Sequence, residues 1–163
     1  MVLEIHGGPA HAPTACGFFH EFQMLAARRL RRALHQSARQ HDATARSSAN
    51  VIQYRYPGRR LPRPAWRGVD DVIARGYVDP ERLGVTGGSG GGLLTNWIVT
   101  QTDRFAAAVT ERCVADWASF YYSCRLHAVH ADLVPQAAVR GSRRNTVERS
   151  PVTLRRAASP RRS

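Results

Sequence analysis

The stretch VTGGSGGGL, from Val85 to Leu93, constrains this chain more than any other: it sets one serine among five glycines between two apolar runs. Glycine clusters alone are ordinary turn material, so their meaning comes from the flanks. Ahead of them, Asp79-Pro80 turns the chain into Leu83-Gly84-Val85-Thr86, which reads as a short strand. After them, Leu93, Leu94, Trp97 and Ile98 fall at i, i+1, i+4 and i+5, one apolar helix face. The G-x-S-x-G from Gly87 to Gly91 thus lies between a strand and a helix, the context that lifts a serine clear of a sheet. Such an elbow needs positive φ at its apex, and tight packing of helix on strand leaves no room for side chains at Gly87 and Gly91. The helix aims its first amides and positive dipole end at the serine, where a tetrahedral oxyanion would form. Ser89 is therefore the candidate nucleophile. A plain glycine turn would be the better reading if the motif stood alone. A P-loop requires a lysine the chain does not have, and a dinucleotide fingerprint from Gly88 requires Gly or Ala where Leu93 stands, so the glycines imply no cofactor.

The rest of the acidic text extends the same alternation. Val2–Ile5 is a β-branched and apolar run that stops at Gly7-Gly8-Pro9, as a buried strand does at a turn. Val69, Val72 and Ile73 share a helical face in a run closed by Gly76, and residues 105–109 read as a third strand. Strand, helix, strand, helix, strand predicts an α/β fold with a parallel sheet, and 163 residues suffice for one modest, incomplete domain. No apolar run approaches the roughly 20 residues of a membrane span, and the N-terminus lacks the pattern of a secretion signal. Cys16, Cys113 and Cys124 form no CxxC pair, and their odd number argues against a disulfide framework, so the expectation is a soluble, cytoplasmic chain.

Charge divides the chain in two. All 24 basic residues are arginine, and the net charge is +12. Nineteen arginines against three acids in 28–48, 59–67 and 125–163 give those blocks +16; five arginines against nine acids leave the remainder at −4. The blocks lack clean periodicity and consist largely of Arg, Ala, Ser, Pro and His. Two explanations fit: solvated insertions with a disordered tail, or out-of-frame translation of GC-rich coding DNA, whose misread codons yield mostly Arg, Ala, Pro, Ser and Gly. The second accounts better for the partition of charge. The expected organisation is a partial catalytic domain over 1–124, interrupted at 28–48 and 59–67, followed by an arginine-rich tail over 125–163.

His6-Gly7-Gly8-Pro9 ends the first strand where an HGG-type turn supplies an oxyanion-hole amide in α/β-hydrolases. That run, Phe18-Phe19-His20-Glu21-Phe22-Gln23-Met24-Leu25-Ala26, Arg75-Gly76-Tyr77-Val78-Asp79-Pro80-Glu81-Arg82-Leu83, the serine motif and Leu94-Thr95-Asn96-Trp97 together resemble the catalytic domain of the prolyl oligopeptidase family of serine peptidases, closest to its acylaminoacyl-peptidase-like branch. Residues 102–109 and 116–121 extend the likeness, which stops at the basic blocks, where the family carries a sheet strand and an Asn-Pro-Arg-Gly turn. The resemblance implies an incomplete α/β-hydrolase fold with a nucleophile elbow. It implies Ser89 as acylated nucleophile, the N–H of Gly90 as one oxyanion donor and the N–H of Gly8 as the second. His6 shapes its turn rather than transferring protons. Gly90 departs from the family's usual larger residue and loosens the elbow.

A serine needs a base, and the base an orienting acid, which in α/β-hydrolases follow the nucleophile as Asp then His. No residue here is assigned to either role. By resemblance both lie beyond Ser163, as a β-propeller lies before Met1. Ser150-Pro151-Val152-Thr153 reads as a brief return to family-like text. Cys124, His127, His130 and Asp132 imitate metal-ligand spacing inside a basic block and are assigned no metal. The resulting expectation is a peptidase fragment acting on short peptides, inactive as it stands, without cofactor, nucleic acid or membrane partner. An esterase on the same fold and a basic nucleic-acid-binding module are the alternatives.

Overall fold

A computed structural model describes residues 1–7, 20–28, 32–35, 62–76, 78–123 and 148–154. Four strands form one parallel sheet: β1 (Val2–Ile5), β2 (Arg32–His35), β3 (Gly84–Gly88) and β4 (Ala107–Glu111), in the order β2-β1-β3-β4. Parallel neighbours require crossovers, and helices supply them. Helix α1 (His20–Ala27) joins β1 to β2, α2 (Pro62–Ala74) lies between β2 and β3, and α3 (Gly90–Gln101) links β3 to β4. A short α4 (Trp117–Ser123) follows, and a 3₁₀ turn spans Pro151–Thr153.

Register places β1 at the centre of the site. Val2 to Ile5 pair with Gly84 to Gly87 on one side and with Arg32 to His35 on the other. On the far side of β3, Gly84 to Gly88 pair with Ala107 to Glu111. The core is built from Leu3 and Ile5 of β1, Val85 of β3, Leu93, Leu94 and Ile98 of α3, Val69 of α2, and Leu83 and Trp117. Leu93 is fully buried, and all of Gly90–Thr95 is enclosed, so the start of α3 is packed on nearly every side rather than on the one face its periodicity predicts. By contrast, all five residues of β4 are exposed, Val109 by 57 %.

Three boundaries differ from the sequence reading. β1 falls where expected, but α2 begins seven residues before Val69, inside the second arginine block, with Pro62 and Pro64 in a first turn where a missing N–H costs no helical bond. It ends as predicted: Gly76 has φ +79 and donates its N–H to Ile73 O at 2.9 Å. β2 comes from the first block, which has no strand pattern; pairing with β1 rather than side-chain periodicity defines it. β4 runs two residues later than 105–109, because Phe105 packs against the core while Thr110 and Glu111 pair with the last glycines of β3.

The segment 148–154 docks through one buried hydroxyl. Ser150 is fully buried; its Oγ accepts the Trp117 N–H at 2.9 Å and donates to Asp116 Oδ1 at 3.2 Å. Asp116 Oδ1 also accepts the Ala118 N–H at 3.0 Å, capping α4. Val152 N–H bonds to Ala115 O and Pro151 is buried, so the run docks through Ser150 and Pro151 while the Val152 side chain stays exposed. Among the described residues, no helix is long and apolar enough to cross a membrane.

Candidate active site

The site grows from the close approach of α3 to β1 and β3. A methyl group on Gly91 would stand 1.9 Å from Ile5 O and 2.9 Å from His6 O; one on Gly87 would stand 2.6 Å from Gly91 C and 2.7 Å from Ile5 O. Only hydrogen fits at either position, which is the crowding the motif implies. The backbone then turns sharply at Ser89, with φ +56 and ψ −116, in the left-handed region that a side chain rarely occupies. Hydrogen bonds on both flanks hold it there. Ser89 N–H donates to Glu111 O at 2.9 Å, and Ser89 O accepts the Leu93 N–H at 3.0 Å. The Ser89 hydroxyl is not spent on capping the helix, and the residue is exposed. Strain is held at the apex by neighbours that cannot yield.

Two further glycines, to which the sequence alone assigns no role of their own, complete the packing. Gly7, at the end of β1, runs beside the elbow: a methyl there would meet Gly88 O at 3.0 Å and Ser89 Cβ at 3.3 Å. Gly92 backs onto β4 and the following turn, with Glu111 O, Gly87 O and Cys113 Cβ each 2.9 Å from such a methyl. Cys113 Sγ accepts a hydrogen bond from Asn96 Nδ2 at 3.1 Å, tying the next turn of α3 to the same place. The third glycine after the serine was the available signal for Gly92. His6 is buried, and its Nδ1 lies 2.8 Å from Gly7 O. A carbonyl has no proton to give, so Nδ1 carries one and donates it to Gly7 O.

The predicted site residues Gly87, Ser89, Gly90 and Gly91 converge at the β3–α3 junction, with Gly90 the buried first residue of the helix. Gly8 lies outside the described residues, as do Cys16, Cys124, His127, His130 and Asp132. Two acids after Ser89 are engaged elsewhere: Glu111 pairs with Arg112 at 3.3 Å, and Asp116 caps α4 and receives Ser150. Among the described residues, no group of three or more His, Cys, Asp or Glu side chains is arranged to hold a metal ion.

The family model described as "Prolyl oligopeptidase family" matches residues 55–145, more than half of the chain and the whole of the elbow. The chain belongs to the prolyl oligopeptidase family. Over 122 residues it is 43 % identical to an uncharacterized peptidase of Bacillus subtilis, YuxL, a match covering 74 % of this chain and 18 % of that protein. Its fold is that of solved α/β-hydrolase members. The acylaminoacyl peptidase of Pyrococcus horikoshii superposes with a TM-score of 0.82 at 21 % identity, over 94 % of this chain and 24 % of the other. A puromycin-hydrolyzing peptidase of Mycobacterium tuberculosis gives 0.73 at 22 %, over 94 % and 23 %. The chain thus spans under a quarter of the length of these relatives.

Proposed function

We propose that this chain is the elbow-bearing part of a serine peptidase, in which Ser89 is acylated by short peptides. The observation that carries the reading is Ser89 itself: an exposed residue at φ +56 on a strand-to-helix turn, its hydroxyl unused as a cap, held by glycines whose replacement would collide with β1. Membership of the prolyl oligopeptidase family and the likeness to YuxL support the same chemistry. In the acylation step the Ser89 Oγ attacks the scissile carbonyl carbon while its proton passes to a base. The carbonyl oxygen becomes an oxyanion accepting the N–H of Gly90, with Gly8 as the second donor. The C–N bond then breaks, the amine leaves with a proton, and water hydrolyses the acyl-serine.

The 163 residues supply the nucleophile and donors without an assigned base. The isolated chain is therefore expected to turn over no peptide, since a serine hydroxyl without its base loses several orders of magnitude in rate. A fluorophosphonate bearing a good leaving group requires less activation. Mass spectrometry after prolonged incubation is expected to place the adduct on the Ser89 peptide and not in Ser89→Ala. Equal labelling of other serines, or Ser89-independent labelling, would overturn the assignment.

A further inference from the structure

Ser89 has a counterpart one strand away. Among the described residues, the non-glycine residues with positive φ are Ser89 and Arg112, and Arg112, at φ +46, immediately follows β4 as Ser89 immediately follows β3. Gly88 and Glu111 are register partners, so the two strained residues stand side by side at one end of the sheet. Arg112 Nη2 lies 3.5 Å from where a methyl on Gly88 would be, and the carbonyl that clamps the Ser89 N–H belongs to Glu111, the residue before Arg112. The arginine therefore sits against the residue preceding the nucleophile. Strain in a non-glycine residue beside a reacting group is where a structure holds a side chain for use.

The guanidinium is underused. Its side chain is 83 % exposed, and its pair with Glu111 Oε2, at 3.3 Å with Glu111 49 % exposed, engages one of five donors. An exposed pair of this length is worth little and exchanges readily for a better-placed acceptor. A planar fork of donors selects a planar pair of oxygens, which a carboxylate offers and a neutral amide does not. We propose that Arg112 is a specificity-determining residue that receives a substrate carboxylate beside Ser89, so that this site prefers peptides carrying an acidic side chain or a free C-terminal carboxylate near the reacting bond. The inference rests on Ser89 marking the reaction site, but it concerns binding rather than turnover.

Binding to the 163-residue chain tests it without requiring catalysis. Three N-acetylated alanine tripeptides would be titrated by NMR: one ending in a free carboxylate, one the C-terminal amide, and one an amide with glutamate in place of the last alanine. The carboxylate peptides are expected to bind about fivefold to tenfold tighter than the neutral amide at low salt. The advantage should shrink at high ionic strength. Arg112→Gln should erase it, and Arg112→Gly, whose backbone accepts φ +46 freely, should erase it with no loss of folding. Ser89→Ala should keep it. The stronger of the two carboxylate peptides identifies the source. Equal binding of all three peptides, or a preference that survives Arg112→Gln, overturns the proposal. If fluorophosphonate fails to label Ser89 while the preference persists, the nucleophile reading fails and the arginine site stands.

Discussion

Two adjacent strands of one sheet end in the same backbone gesture and lead to opposite surroundings. After β3 the chain turns at Ser89 and enters α3, whose first six residues are all buried. After β4 it turns at Arg112 with both Glu111 and Arg112 in solvent, and β4 itself is exposed from Ala107 to Glu111. The conformational cost is similar, on the order of 1 kcal/mol for each non-glycine residue at positive φ. What differs is what holds the turn. At Ser89 it is steric: Gly7, Gly87, Gly91 and Gly92 let four backbone segments approach within a methyl's width. At Arg112 the residues on either side, Glu111 and Cys113, also pack on Gly92, but the side chain stands in solvent and makes one long ion pair. A strained turn wedged between packed backbones holds its side chain in one place, whereas one whose side chain lies in solvent presents it for contact.

The comparison breaks first at Gly91. Alanine there would set a methyl 1.9 Å from Ile5 O and 2.9 Å from His6 O, and because these are backbone atoms nothing flexible can move. Gly91→Ala is expected to cost at least about 3 kcal/mol, enough to unfold a marginal domain, as seen in a denaturant titration followed by circular dichroism. A loss under about 1 kcal/mol would mean that α3 can lift from β1 and that the elbow is held by something else. Leu93→Ala, in the same buried start of α3, should cost about 3 kcal/mol, while Val109→Ala on exposed β4 should cost under about 1 kcal/mol. Equal losses at the two positions would show that β4 is as enclosed as the elbow.

These outcomes follow the line between what the sequence declares and what it hides. The elbow was legible because steric exclusion writes itself in glycine: spacing and flanks alone mark Gly87, Gly91 and Ser89. Strand β1 was legible because its β-branched and apolar run stops at Gly7-Gly8-Pro9, as a buried strand does. β2 was not, since Arg32–His35 carries no strand pattern and owes its conformation to hydrogen bonds with β1. The start of α2 was hidden by the composition of residues 62–67. Arg112 carried no signal at all, because a left-handed arginine has neither the glycine nor the asparagine that marks such a backbone. Its place beside Ser89 is a product of register, which a single sequence does not state.

A smaller effect sharpens the contrast from the packed side. Ser150→Ala removes the acceptor of the Trp117 N–H and the donor to Asp116, both in the buried seam where 148–154 meets α4. The loss is expected to be about 1–2 kcal/mol, because the Trp117 amide is left without its acceptor away from water. Urea titration checks it, and limited proteolysis should show the segment released before the sheet unfolds. A variant as stable as the parent would mean that the seam contributes no more than the exposed β4 edge.

The smallest expected effects bear on the two turns themselves and have the opposite sign. Glycine at either position removes the steric cost of positive φ but widens the unfolded ensemble, so the net gain is the difference between the two terms. For Arg112→Gly the gain should approach about 0.5–1 kcal/mol, because the exposed ion pair it gives up contributes almost nothing. For Ser89→Gly a similar gain is expected, since the hydroxyl caps no helix N–H and its removal sacrifices no such bond. The two variants therefore match in stability and differ in chemistry: Ser89→Gly loses the labelling site and keeps carboxylate preference, while Arg112→Gly does the reverse. Thermal melts with both readouts check this. A fall in stability for Ser89→Gly but not for Arg112→Gly would mean that the serine side chain makes a folding contact, and that its exposure at the apex is not reserved for a substrate.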